Sequence, residues 1–101
     1  MAAYGAAKAG LIGLVNVLAA EHGPAGLRVN ALLPGGTRTE MAAALLSDAA
    51  GEAFVTGLHA LKRIAAPVEI ARVATFLLSD AASFVTGSAI VADGGNSITK
   101  L

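Results

Sequence analysis

The chain has 101 residues, 55% hydrophobic and 14% charged, with seven basic against seven acidic side chains and no cysteine. That length fits one small domain at most. The balanced charge leaves no basic stripe for nucleic acid, and the absence of Cys excludes a disulfide framework and a thiolate metal site. His22 and His59 lie far apart without ligand spacing, so no metal site is expected. The charged fraction of 14% is well below the about 25% of an ordinary globular domain. A small domain needs more polar surface than that, so the abundant Leu, Ile and Val imply faces covered by more chain or by other subunits. The alternative is an Ala-rich helical protein, in which Ala inflates the hydrophobic count.

Residues 3–22 read as a helix, with Leu11, Leu14, Val15, Leu18 and Ala19 on one stripe. Ile12 and Val17 widen that surface, as in a helix covered on more than one side. Gly5, Gly10 and Gly13 cost helix propensity, about 1 kcal/mol each relative to Ala, and close approach of another backbone or a ligand is the usual compensation. The apolar run 9–20 is too short to span a bilayer and lacks a cationic region before it. No membrane partner is expected, and the cytoplasm is the default compartment. Gly23-Pro24 ends the helix.

Residues 27–33 (LRVNALL) read as a strand, apolar without clean alternation, as in a parallel sheet buried on both faces. Pro34-Gly35-Gly36 stops it. A helical stretch is expected from about Glu40, and Ser47-Asp48 as the cap of a second short helix reaching Leu58. Residues 67–79 give the clearest helix: Pro67 suits its first position, Glu69 its first turn, and Ile70, Val73, Ala74, Leu77 and Leu78 follow helical spacing. Residues 87–92 form a short strand closed by Asp93-Gly94-Gly95. The order helix–strand–helices–strand implies an α/β fold with a right-handed parallel crossover. Two strands do not make a stable open sheet alone, so this is the edge of a larger one.

Three features can carry chemistry. Tyr4 and Lys8, four residues apart, share one helix face. An ammonium beside a phenol favours the phenolate and so tunes a general acid/base; the alternative is an amphipathic Tyr packed with a surface Lys. Pro34-Gly35-Gly36-Thr37-Arg38-Thr39 follows a buried strand, where open parallel sheets bind ligands. Its glycines permit close backbone approach, Thr37 and Thr39 offer hydroxyls, and Arg38 a cation near a possible phosphate. The alternative is a loop with helix-capping Thr. Ser83-Phe84-Val85-Thr86-Gly87 and Asp93-Gly94-Gly95, taken alone, are turns flanking a strand.

Their joint order is more specific. Y-x-x-x-K opens a small-residue helix; R-V-N-A-L-L-P-G follows about twenty residues later; P-x-E-I-A leads an amphipathic helix; and L-S-D-A-A-S-F-V-T-G runs into a strand ending D-G-G. This series resembles the C-terminal half of classical short-chain dehydrogenases/reductases over nearly the whole chain. The resemblance implies the C-terminal portion of a Rossmann-like, doubly wound parallel sheet over 1–101, with the N-terminal strands missing. It implies Tyr4 as general acid/base, and Lys8 as the group that binds the nicotinamide ribose and lowers the Tyr4 pKa. Tyr4, Lys8, Pro34, Gly35, Thr37 and Thr39 would bind the cofactor, NAD or NADP. Thr37 stands where the family usually has Val or Ile, whose backbone groups hold the nicotinamide carboxamide. Residues 40–62 would be the substrate lid. The substrate would be a small carbonyl or alcohol, and the parent a homo-oligomer, dimer or tetramer, through the Tyr/Lys helix and through residues 67–92.

The family's Gly-rich phosphate loop, its Asn-containing central strand and its catalytic Ser would all lie upstream of Met1. A truncated product, an internal start or one piece of a split protein is therefore expected. On that reading residues 1–101 alone are inactive, and the alternative role is an oligomerisation or interaction module.

Overall fold

The computed structural model describes residues 2–99, apart from the side chain of Tyr4. Helix α1 spans Ala2–His22, β1 Ala31–Pro34, α2 Ala49–Gly57, α3 Pro67–Leu78 and β2 Ala89–Ala92. The two strands pair in a parallel sheet, which makes the chain α/β. The chain divides into two compact units. One comprises the chain up to Leu32 together with Thr75–Ile90; the other comprises Leu33–Ala74 together with the chain from Val91 on.

In the first unit α1 ends as its sequence dictates. Gly23–Ala25 tighten into a 3₁₀ turn around Pro24, and Gly26, at φ +84°, donates its N–H to the Gly23 carbonyl at 2.8 Å. The inward stripe of α1 differs from the expected one. Ala19 is buried and Ile12, Val15 and Leu18 are half-buried, whereas Leu11, Leu14 and Val17 are exposed. Helical spacing alone does not separate these overlapping apolar stripes. Among the described residues outside the helix's own backbone, nothing lies within 4 Å of a Cβ built on Gly5, Gly10 or Gly13.

The strand expected over 27–33 is regular only from Ala31; before it the Val29 carbonyl accepts from Gly87 N–H at 2.8 Å, and side chains make the other cross-links. Val29 N–H donates to Thr86 Oγ1 at 3.1 Å. The Asn30 amide donates to the Val85 carbonyl at 2.9 Å and accepts from Ser88 N–H at 3.1 Å. Arg28 donates to the Val85 and Ser79 carbonyls. Backbone pairing resumes where Ala31 N–H meets the Ser88 carbonyl at 2.8 Å. Ala82 and Leu77 join Ala19 as the buried apolar residues of this unit.

In the second unit the helical stretch expected from Glu40 is a run of turns over 40–46. Asp48 caps α2, accepting from Gly51 N–H at 2.6 Å, as expected of the Ser47-Asp48 pair. Past its end the Lys62 ammonium donates to the Gly57 carbonyl at 3.0 Å. The α3 start at Pro67 is reinforced by Glu69, which reaches back to Ala66 N–H at 2.9 Å, half of a capping box. Val55 and His59 are the buried side chains of this unit.

Candidate functional site

Tyr4 and Lys8 stand one turn apart on an uninterrupted α1, which places both on one helix face. Lys8 is exposed. The expected approach of phenol to ammonium falls on the Tyr4 side chain, outside the described residues.

The loop after β1 is built residue by residue. Gly35 N–H donates to the Ala92 carbonyl at 3.2 Å. A Cβ on Gly35 would stand 2.7 Å from Asp93 Cα and 2.8 Å from its carbonyl oxygen, so only glycine fits. Gly36 N–H donates to His59 Nε2 at 2.9 Å, and the Gly36 carbonyl accepts from Ala65 N–H at 2.9 Å. Arg38 N–H donates to the Ala65 carbonyl, also at 2.9 Å, which closes a parallel bridge between Thr37 and Ala65. Successive peptide groups of an extended segment alternate in direction. The N–H and C=O of Thr37 therefore point away from Ala65, and they meet no protein partner among the described residues. The Thr37 hydroxyl turns back onto the Gly35 carbonyl at 3.1 Å. Thr39 accepts from Ala42 N–H at 3.3 Å through its Oγ1, closing a turn rather than capping the helix weighed for it from sequence. Arg38 pairs with Glu52 of α2, so the cation considered for a phosphate already has a carboxylate.

Pro34, Gly35, Thr37 and Thr39 share one open groove of about 590 Å³, closed on its other sides by Met41 and by Pro67, Ile70 and Ala74 of α3. All four loop residues singled out from the sequence are thus brought to one place. The lining is apolar apart from the two threonines and backbone, as in small-molecule sites generally. A smaller cavity, about 210 Å³, also touches Gly35 and Gly36, but the charged groups around it are engaged. Arg63 grips Glu69 through both carboxylate oxygens at 2.7 Å, which with the Ala66 N–H lowers the Glu69 pKa to about 2. Asp93 accepts from Ser97 and Gly95 N–H, and these bonds, that of Ser97 foremost, hold its pKa below the usual carboxylate range. Of the two cavities that touch this loop, the larger groove has the room for a ligand.

His59 is the residue that sequence reading passed over, having weighed it only as a metal ligand. It is 2% exposed, and both ring nitrogens bond to backbone. Its one sequence trace is indirect: Gly36 is a second glycine that the P-G-x-x-x-T pattern does not demand. A Cβ there would lie 2.7 Å from His59 Cε1.

A family model described as enoyl-(acyl carrier protein) reductase matches residues 1–97. The chain is 48% identical over 93 residues to a 2,5-dichloro-2,5-cyclohexadiene-1,4-diol dehydrogenase of Sphingobium indicum, covering 91% of this chain and 37% of that protein. It is 45% identical over 102 residues to a short chain dehydrogenase/reductase of Aspergillus oryzae, covering 97% of this chain and 38% of that protein. Among solved structures, a 4-hydroxyisoleucine dehydrogenase complexed with NADH superposes with a TM-score of 0.91 at 38% identity, over 98% of this chain and 41% of that one. A short-chain type dehydrogenase/reductase from Mycobacterium ulcerans gives a TM-score of 0.85 at 40% identity, over 93% of this chain and 34% of that one. The chain spans roughly two fifths of the length of these relatives. With its fold, its motif order and these relatives in agreement, the chain belongs to the short-chain dehydrogenase/reductase family of oxidoreductases.

Proposed function

We propose that the protein carrying this chain transfers hydride between a nicotinamide cofactor, NAD or NADP, and a small carbonyl or alcohol. The observation that carries this reading is the Thr37 peptide. Its N–H and C=O meet no partner among the described residues at the edge of an apolar groove, between the engaged N–H groups of Gly36 and Arg38. One donor and one acceptor side by side match a carboxamide, and backbone groups supply them whatever the side chain. The Thr hydroxyl, folded onto Gly35, leaves them clear, so Thr in place of Val or Ile keeps the backbone role. The nicotinamide, when bound, supplies the hydride. Pro34, Gly35, Thr37 and Thr39 form the wall that receives its ring. Tyr4 gives a proton to the carbonyl oxygen or takes one from the alcohol, and Lys8 binds the ribose and favours the ionised phenol.

The dehydrogenase relatives of Sphingobium indicum and Aspergillus oryzae, and the NADH held by the 4-hydroxyisoleucine dehydrogenase, support this reading. Residues 40–62 include the substrate lid, and its opening part, a run of turns over 40–46 with Met41 97% exposed, is in keeping with that role. The absence of Cys agrees with a cytoplasmic protein. The exposed Leu11, Leu14 and Val17 of α1 favour self-association, and they also support a second reading of residues 1–101 alone as an interaction module. Size-exclusion of the isolated chain tests that reading, and a well-behaved monomer defeats it.

Titrating the protein with NADH and NADPH, followed by nucleotide fluorescence, tests the main reading. Saturable binding of one of them is expected, and binding of neither overturns it. Tyr4→Phe should lower turnover by roughly 10²–10⁴-fold with folding intact. Lys8→Ala should weaken cofactor binding and turnover together.

A further inference from the structure

We propose that His59 is the positioning residue of the nicotinamide loop: its imidazole fixes the Gly36 peptide and thereby aims the Thr37 peptide groups at the cofactor carboxamide. The inference rests on the functional reading above and assigns a role to a buried group which that reading leaves unused.

The hydrogen bonds determine the state of the ring. The Val55 carbonyl, 2.8 Å from Nδ1, accepts only, so Nδ1 carries the proton. Gly36 N–H, 2.9 Å from Nε2, donates only, so Nε2 presents its lone pair. The imidazole is therefore the neutral Nδ1–H tautomer, with neither nitrogen left over. It is wedged as well as bonded. The ring packs against Gly36, where a Cβ would meet Cε1 at 2.7 Å and Nε2 at 3.0 Å, and against Gly94, where a Cβ would meet Cδ2 at 3.4 Å. A flat ring at 2% exposure with both nitrogens bonded is held in place by packing and by hydrogen bonds.

The consequence reaches the groove one peptide later. The Gly36 N–H is bonded to the imidazole and the Gly36 carbonyl to Ala65 N–H, which fixes the orientation of the two peptides that flank Gly36. The second of these supplies the Thr37 N–H. Without the Nε2 acceptor, the Gly36 N–H would be unsatisfied beside a buried site, and the loop would turn to find another partner, carrying Thr37 with it. An apolar residue at 59 fills the same space but offers no acceptor. Glutamine offers a carbonyl oxygen near the place of Nε2, whereas asparagine is too short to reach it.

The test compares His59→Leu, His59→Gln and His59→Asn with the wild-type protein, by NADH or NADPH titration and by thermal melting. Folded His59→Leu and His59→Asn should bind the cofactor about tenfold more weakly, the loss expected for roughly one hydrogen bond to a preorganised site. His59→Gln should recover to within about threefold of wild type. A merely structural His59 would lower the melting temperature of all three and leave the cofactor affinity of the folded protein unchanged. That pattern overturns the proposal. Nitrogen NMR of the wild-type imidazole reads the same claim without any variant: Nδ1–H with an accepting Nε2 that shifts on cofactor binding supports it, and an Nε2–H tautomer overturns it. Wild-type protein that binds neither nucleotide overturns the functional reading and this inference with it. Wild-type binding matched by equal binding to folded His59→Leu overturns this inference alone.

Discussion

The glycines of the loop after β1 and those of α1 are the same residue used under opposite constraints. At Gly35 and Gly36 an added Cβ would stand within 3 Å of Asp93 and His59 respectively, while at Gly5, Gly10 and Gly13 it would meet nothing within 4 Å. The loop's shape is thus enforced from inside this chain. The α1 glycines meet nothing among the other described residues, and the apolar face that Gly10 and Gly13 share with Leu14 and Val17 is exposed. The difference teaches which parts of the molecule are self-determined and which are written for a neighbour.

Alanine at each class of position breaks or sharpens that contrast. Gly35→Ala should have the largest effect. Its methyl would meet Asp93 backbone, which no rotamer change relieves, so a loss of about 3 kcal/mol is expected, the upper end for overpacking. Gly36→Ala meets a side chain instead and should cost about 2 kcal/mol while also displacing His59. Urea unfolding midpoints report both, and wild-type midpoints would show that the loop is not held as described. Gly13→Ala should do the reverse. With open space around it, Ala gains up to about 1 kcal/mol of helix propensity in the dilute, unassembled protein. If α1 is a subunit contact, the same change should raise the dissociation constant of the assembly in sedimentation. A Gly13→Ala protein that is neither more stable when dilute nor weaker in assembly would remove the distinction between the two glycine classes.

The sequence shows the regions of this chain unequally, for physical reasons. The α3 boundaries were legible because Pro67 and Glu69 are start signals and its apolar stripe is single. The α1 span was legible and its inward stripe was not, since apolar residues on several faces give periodicity no unique phase. The start of β1 was hidden because Asn30 and Thr86 side chains interleave with a single backbone bond at Val29, which a reading of apolar runs does not detect. In the candidate site, the gathering of Pro34, Gly35, Thr37 and Thr39 around one groove followed from their short motif. His59 lies 23 residues further on than Gly36, and its bond to that peptide depends on tertiary structure alone. Arg38 looked available because its partner, Glu52, is reached only once α2 has folded back toward the loop.

The smallest predicted effect is electrostatic and belongs to the same side of the comparison. Glu69 holds the Arg63 guanidinium and the Ala66 N–H, and Ala66 follows Ala65, the bridge partner of Thr37. Its pKa is lowered from 4.5 to about 2, with the Arg63 hydrogen bond the largest cause. A carboxylate with a folded pKa depressed in this way adds stability that is complete above its unfolded value and is lost as pH falls through the folded one. Glu69→Gln should therefore melt slightly below wild type at pH 7, by less than either loop glycine variant. The gap should narrow as pH falls from about 4.5 and close near about 2. A gap that stayed constant down to that pH would assign Glu69 a role of shape rather than charge. α1 carries no acid in its first turn, so its start has no comparable anchor to titrate. An acid-sensitive component confined to the unit that holds the loop would mark that unit as the one whose geometry this chain secures by itself.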